Sequence, residues 1–221
     1  MNDSRSTTPQ LEKYYAKRAS EYERIYDKEE RQPELAWLRE RLPELFAGRV
    51  VLEVACGTGY WTQFIARRAK RMHSCDINDP VLEIAREKSF PRDNVSFFKG
   101  DAFAPDGAGE RCDAAFAGFW WSHVRKAELQ RFLAGLALRL KPGALVAILE
   151  NSYVEGSSTP ISRTDAEGNT YQTRKLLSGE THEVLKNFPT PAQLADAVRP
   201  YASEAHLEDL QYYWLLVFKL K

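Results

Sequence analysis

Little in this chain is present in excess. The three cysteines, Cys56, Cys75 and Cys112, stand far apart in 221 residues, an odd and scattered set that gives neither a disulfide framework nor the spacing of a zinc site. A reducing compartment, the cytoplasm, is the expectation. Charge of one sign is also missing: 31 basic side chains face 31 acidic ones for a formal net charge of +0, so the chain as a whole lacks the attraction on which nonspecific nucleic-acid or anionic-membrane binding depends. The longest apolar runs, Ala144 to Leu149 and Tyr212 to Phe218, fall far short of the ~20 residues that span a bilayer. Met1 to Gln10 is polar and has no apolar signal-peptide core. His73, His123, His182 and His206 show no ligand spacing with carboxylates or thiols, and no metal is expected. No repeat or low-complexity tract is visible.

What is there is an ordinary globule, 43% apolar and 28% charged. It has the size of one domain, since domains usually run to about 100–200 residues, and a monomer or homodimer is expected. Leu11 to Asp27 carries Leu11, Tyr14, Tyr15, Ala19, Tyr22 and Tyr26 at spacings of three and four, the stripe of an amphipathic helix. A second helix starts near Pro33 and runs to Gly48. From Val50 onward, short apolar runs alternate with helical spacing: strands at Val50 to Ala55, Arg71 to Asp76, Val95 to Phe98, Cys112 to Phe119 and Ala144 to Glu150. The helices between them include Pro80 to Lys88 and Lys126 to Leu140, the latter stopped by Lys141-Pro142-Gly143. This alternation predicts a parallel sheet with helices on both faces. Regularity fails over 151–188, which reads as an inserted, hairpin-rich segment. Pro191 to Val198 reads as a helix, and Ala202 to Leu207 with Tyr212 to Leu220 as an antiparallel pair closing the sheet.

The stretch Glu53-Val54-Ala55-Cys56-Gly57-Thr58-Gly59 leaves the first strand through a glycine turn, where α/β sheets bind nucleotide-like ligands. A dinucleotide fingerprint wants a third glycine or alanine three residues after Gly59, but Thr62 stands there. A carboxylate at Glu53 opposes a pyrophosphate and suits a cationic ligand. Asp76 ends the second strand, where it can accept from ribose hydroxyls, and Asp101 ends the third, where it can accept from an adenine amino group. Each acid taken alone reads more readily as a helix cap or turn residue; their placement on successive strand ends is what points to a cofactor site.

These motifs, with Gly100-Asp101-Ala102, Asp113-Ala114-Ala115-Phe116 and Leu140-Lys141-Pro142-Gly143-Ala144-Leu145, resemble the class I S-adenosylmethionine-dependent methyltransferases over about residues 48 to 150. The resemblance implies a Rossmann-like, doubly wound, mostly parallel seven-stranded α/β sheet of order 3-2-1-4-5-7-6 with helices on both faces. It implies S-adenosyl-L-methionine as cofactor and S-adenosyl-L-homocysteine as product, with Glu53, Ala55, Gly57, Gly59 and Trp61 toward the methionine end, Asp76 on the ribose, Ile77 against the adenine, Asp101 and Ala102 at its amino edge, and Phe119 beside them. The domain would span 1–221, with a helical leader or lid over 1–47 and the insertion at 151–188, a departure from many members that leaves the acceptor region hardest to transfer.

For the acceptor, Phe119-Trp120-Trp121-Ser122-His123 at the end of the fourth strand is the first place to look. Trp120 and Trp121 read equally as a flat apolar wall or as packing of a strand-to-helix junction. His123 is the candidate catalytic base, with a solvated helix-start residue as the alternative, and Ser122 reads as that helix's cap rather than a nucleophile. Tyr14 and Tyr15 of the leader, Tyr60, and Tyr171 in the insertion are candidate cleft residues. Tyr153, Arg163, Asp165 and Arg174 are further charged or aromatic groups there. The expectation is methyl transfer to oxygen or nitrogen of a small aromatic or heteroaromatic metabolite, with a protein acceptor or a non-catalytic cofactor-binding module as the other readings.

Overall fold

The structure is a computed structural model and describes residues 9–221; the part of the expected leader before Pro9 lies outside the described residues. The chain opens with α1 (Pro9–Arg18), a 3₁₀ segment over Ala19–Tyr26 and α2 (Gln32–Leu45). Then come β1 (Val50–Val54), α3 (Tyr60–Ile65), β2 (Arg71–Asp76), α4 (Asp79–Glu87), β3 (Val95–Lys99), β4 (Cys112–Gly118), α5 (Leu129–Ala137) and β5 (Leu140–Asn151). Three strands follow in the insertion, β6 (Ile161–Thr164), β7 (Thr170–Lys175) and β8 (Thr181–Leu185). The chain closes with α6 (Pro191–Val198), β9 (Ala202–Asp209) and β10 (Tyr213–Leu220).

The main sheet has the order β3-β2-β1-β4-β5-β10-β9. Renumbered within this sheet alone, that is 3-2-1-4-5-7-6. The first five strands run parallel, while β10 pairs antiparallel with both β5 and β9. Every residue of β1 is buried, as a central strand covered on both faces requires. Alternation then sends neighbours to opposite sides. Leu52 and Val54 join a core with Trp121, Phe132 and Leu136, and Val51 joins the other with Leu35, Leu38, Phe46 and Ile65.

Two boundaries differ from the sequence reading. The leader is not one helix: after Arg18 it tightens into the 3₁₀ segment, and Tyr22, Tyr26 and Tyr60 continue its aromatic contacts. Lys141-Pro142-Gly143 does not follow a helix directly but belongs to the start of β5. Leu140 already pairs with Cys112, with a register shift before Ala114, and Gly143 takes a left-handed φ of 74°.

The insertion is a three-stranded antiparallel sheet, β6-β7-β8. Its root is fixed by buried amides. Asn187 donates its backbone N–H to the Ser122 carbonyl at 2.8 Å and accepts the Thr170 N–H on Oδ1 at 2.9 Å. Asn169, fully buried, accepts the Lys126 N–H at 2.9 Å. The insertion is thereby held beside the carboxyl ends of β4 and β5.

Candidate functional site

The strand order reverses between β1 and β4, and the crevice at a reversal lies beyond the carboxyl ends of its strands. In this chain the crevice is lined by Ala55 and Gly57 after β1, Asp76 and Ile77 at the end of β2, Gly100 and Ala102 after β3, and Gly118 and Phe119 at the end of β4. Ala55 at φ 52° and Phe119 at φ 58° are the non-glycine residues with positive φ among those described. Backbone strain of this kind concentrates where a ligand is gripped. Gly57 (φ 55°) bends the chain so that a Cβ there would find only Tyr22 within 4 Å, on the crevice side. Gly59 serves a different end: its Cβ would lie 3.2 Å from that of Ala85, so this glycine lets the turn press onto α4.

Asp76 ties the turn to β2. Its carboxylate accepts the Gly57 N–H at 2.9 Å and the Asn78 N–H at 2.9 Å, and burial pushes its pKa above the ordinary value against those bonds. Glu53 lies beneath the turn, outside the crevice wall. It accepts from the Thr62 hydroxyl at 2.6 Å and the Ser74 hydroxyl at 2.7 Å, and burial raises its pKa from 4.5 to about 7. The folded protein therefore holds a proton at Glu53 that the unfolded chain releases, so the Glu53 contribution to stability declines as pH rises from about 4.5 to about 7, while His123, held neutral in the fold, contributes in the opposite direction. A shift of this size corresponds to about 3 kcal/mol. Glu53→Gln is expected to remove the decline, measured as urea midpoints from acid to neutral pH; an unchanged profile would assign the decline to other groups.

Of the remaining candidates, Asp101 accepts the Phe103 N–H at 2.9 Å and shapes the turn between Gly100 and Ala102. Trp61 is buried against Tyr26, Tyr60 and Phe64, and Tyr60 stacks on Tyr26 at 3.6 Å while accepting from Arg39; neither reaches the crevice wall. Trp121 sits in the core, edge-on to Trp214 at 6.3 Å, while Trp120 lines the crevice. Tyr171 lies on the insertion under the Arg163 guanidinium, 3.7 Å from its ring centre, with its hydroxyl on Asp165.

Beyond the crevice lies a second cavity of about 390 Å³ between the leader and the insertion. Tyr15, Tyr22, Phe119 and His123 line both spaces and form the partition between them. His123 Nδ1 lies 2.6 Å from the Leu185 carbonyl, and Nε2 lies 2.7 Å from the Tyr15 hydroxyl. A carbonyl only accepts, so Nδ1 carries the proton and Nε2 accepts from Tyr15. Burial, then the charges of Lys186 and Arg174, hold the His123 pKa well below its usual value. The ring is a neutral acceptor. Burial raises the Tyr15 hydroxyl to about 12, so this pair is a fixed hydrogen bond, neither member ionised near neutral pH.

Behind His123 is an ion pair that the sequence did not disclose. Lys186 Nζ lies 2.8 Å from Glu150, with side chains only 5% and 1% exposed, and it also donates to the Ser122 hydroxyl at 2.6 Å. Ser122 is thus a partner of Lys186 and no helix cap. Tyr14 is buried on the cavity side, where its hydroxyl accepts from Arg18 at 2.9 Å.

The comparisons with known proteins agree with this architecture. Residues 51–143 match the methyltransferase domain family. Over those residues the chain is similar to S-adenosylmethionine-dependent methyltransferases. Demethylmenaquinone methyltransferase of Staphylococcus aureus strain JH9 is 24% identical over 157 residues, 69% of this chain. The chain spans 64% of the length of the curated relatives it matches. Among solved structures, the complex of DhpI with SAH aligns with a TM-score of 0.75 at 25% identity, covering 97% of each chain. The PH0226 protein of Pyrococcus horikoshii OT3 shares the fold, with a TM-score of 0.72 at 21% identity over 91% of this chain and 99% of its own. Two of the solved structures it resembles are complexes of DhpI, one with SAH and one with SAM. The crevice fits S-adenosylmethionine: the glycine turn, an acceptor-only carboxylate at Asp76 and the backbone at Ala102 offer a cationic nucleoside what it needs, and among the described residues no lysine or arginine lines the wall to repel it. Among the described residues no helix is long and apolar enough to cross a membrane.

Proposed function

We propose that the chain transfers a methyl group from S-adenosylmethionine to oxygen or nitrogen of a small metabolite, with an aromatic portion. The carrying observation is the partition: four side chains, Tyr15, Tyr22, Phe119 and His123, face both the nucleoside crevice and the second cavity. A donor on one side and an acceptor on the other meet only there. The cofactor supplies an electrophilic methyl carbon on sulfur. Asp76 would hold its ribose, Ile77 and Ala102 its adenine, and Ala55 with Gly57 its amino-acid end.

The chain's own part is to orient and to exclude water, which account for most of the rate of such a displacement. Phe119 and Trp120 make one apolar wall, and the tyrosines of the leader make another. The leader and insertion clasp each other overhead: Lys17 pairs with Glu180 at 2.6 Å, and the Leu177 N–H donates to Glu21 at 3.1 Å. Both contacts are exposed and hence weak, as a roof that must open for each turnover requires. His123 acts by fixing the Tyr15 hydroxyl, which then presents its oxygen to the acceptor.

The test is incubation with methyl-labelled cofactor and a metabolite extract, followed by mass spectrometry of the small-molecule fraction. Label is expected in that fraction. Label in protein alone would move the reading to a protein acceptor, and cofactor binding without transfer would leave a binding module.

A further inference from the structure

The second cavity is lined by four arginines, Arg18, Arg24, Arg31 and Arg174, and three lysines, Lys28, Lys175 and Lys186, and among the described residues no aspartate or glutamate lines it. In a chain whose charges balance overall, that concentration of one sign needs a reason. Several of these cations are already answered. Lys186 has Glu150, Lys28 lies 4.0 Å from Glu30, and Arg24 and Lys175 are exposed at the rim. Arg31, 5% exposed, spends all three nitrogens on Ser157 and Asn151 and stacks on Tyr212 and Tyr213.

Arg18 and Arg174 are different. Both are half-buried and neither meets a carboxylate among the described residues. Arg174 gives Nε and Nη2 to the Gln172 amide oxygen at 3.2 and 2.7 Å, which leaves Nη1 toward the phenols, 3.5 Å from the Tyr15 hydroxyl with Tyr14 also in reach of the guanidinium. Arg18 gives Nη1 to the Tyr14 hydroxyl, and its guanidinium lies over the rings of Tyr14 and Tyr22. Tyr14 and Tyr15 are edge to face at 4.9 Å, so the two guanidinium groups converge on one phenol pair at the partition. Withdrawing a guanidinium from water without a counter-anion is costly, and its fork matches a planar or tetrahedral oxyanion.

We infer that the acceptor is an organic acid anion whose oxyanion is seated by Arg18 and Arg174 beside the Tyr14–Tyr15 pair. The inference rests on the methyl-transfer reading, which makes this cavity the acceptor's. It also gives the roof a reason to close, because Arg18 belongs to α1 and Arg174 to β7, and one anion bridges them. The aromatic lining, Tyr22, Tyr26, Phe188 and Tyr213, leaves room for an aryl or other flat body on the acid.

The experiment loads the protein with S-adenosylhomocysteine and titrates it calorimetrically with benzoate, phenylphosphonate and neutral benzamide. Both anions are expected to bind at least about ten-fold tighter than benzamide, given the strength of charge-assisted hydrogen bonds, and to weaken as salt is added. The tighter of the two tells a carboxylic from a phosphonic acid. Arg174→Gln and Arg18→Gln are each expected to cost about ten-fold or more in benzoate affinity, with Arg174→Lys in between, while homocysteine-nucleoside binding stays intact and so reports that the variants are folded. Equal binding of benzamide and benzoate, or glutamine variants that bind benzoate as the native protein does, would overturn the inference while leaving methyl transfer standing. Failure of the native protein to bind S-adenosylhomocysteine at all would remove both.

Discussion

Lys186→Met is expected to destabilise the fold by about 3–5 kcal/mol, the usual consequence of leaving a buried charge without its partner. The Glu150 side chain is 1% exposed at the end of β5's buried run, and Lys186 supplies both the opposite charge and the hydrogen bonds to its two oxygens, at 3.1 and 2.8 Å. Burial and the nearby Arg174 already lower the Lys186 pKa to about 8, and Glu150 opposes that shift. At about 2–4 °C per kcal/mol for a chain of this size, the midpoint should fall by roughly 10 °C. The double change Lys186→Met with Glu150→Met removes both charges together and should recover most of the loss. Urea midpoints of the single and double variants decide it. A single variant within about 1 kcal/mol of the native protein would show that Glu150 finds another partner or a proton at little cost.

The second large effect concerns the cofactor. Asp76→Ala is expected to weaken S-adenosylhomocysteine binding by about 2–3 kcal/mol, roughly 30- to 150-fold, the usual worth of hydrogen bonds to a charged group. Two losses combine in that variant, because the Gly57 and Asn78 N–H groups lose their acceptor along with the nucleoside. Asp76→Asn separates them in part. It keeps the shape and one acceptor oxygen, so only one of the Gly57 and Asn78 N–H groups keeps its acceptor while the other faces the new amide NH2; the thermal midpoint should fall less than in Asp76→Ala, whereas ribose binding should still weaken at least about ten-fold. Unchanged calorimetric affinity in both variants would take Asp76 out of the site.

Much of the frame was legible in the residues because a buried parallel strand leaves an unbroken apolar run. Val50–Val54 and Arg71–Asp76 carry little ambiguity, and the glycine turn between β1 and α3 marks the strand exit. The misread boundaries have local causes. A tyrosine every three to four residues looks the same in an α-helix and in the tighter 3₁₀ segment after Arg18. The Pro-Gly at 142–143 signals a break, yet it cannot say whether the break ends a helix or kinks the start of a strand.

The crevice was more readable than the second cavity for a similar reason. Ala55, Gly57, Asp76, Ile77 and Ala102 follow strands directly, so spacing alone places them at the sheet's edge. Arg18 and Arg31 of the leader stand far from Arg174 and Lys186 of the insertion among 31 basic residues, and only the packing of the leader against the insertion brings them to one cavity. The pairing of Glu150 with Lys186 is likewise a property of the fold, since each residue taken alone reads as a solvated charge. Trp120 and Trp121 show the limit of a two-residue motif: alternation at a strand exit turned one toward the crevice and the other into the core.

The most direct test is a crystal structure of the protein soaked with S-adenosylhomocysteine. The expected density has the ribose on Asp76, the adenine between Ile77 and Ala102, and the sulfur facing Tyr15 and His123 across the partition. Well-ordered nucleoside anywhere else, or a crevice that stays closed to it at saturating concentration, would contradict the assignment of donor and acceptor sides.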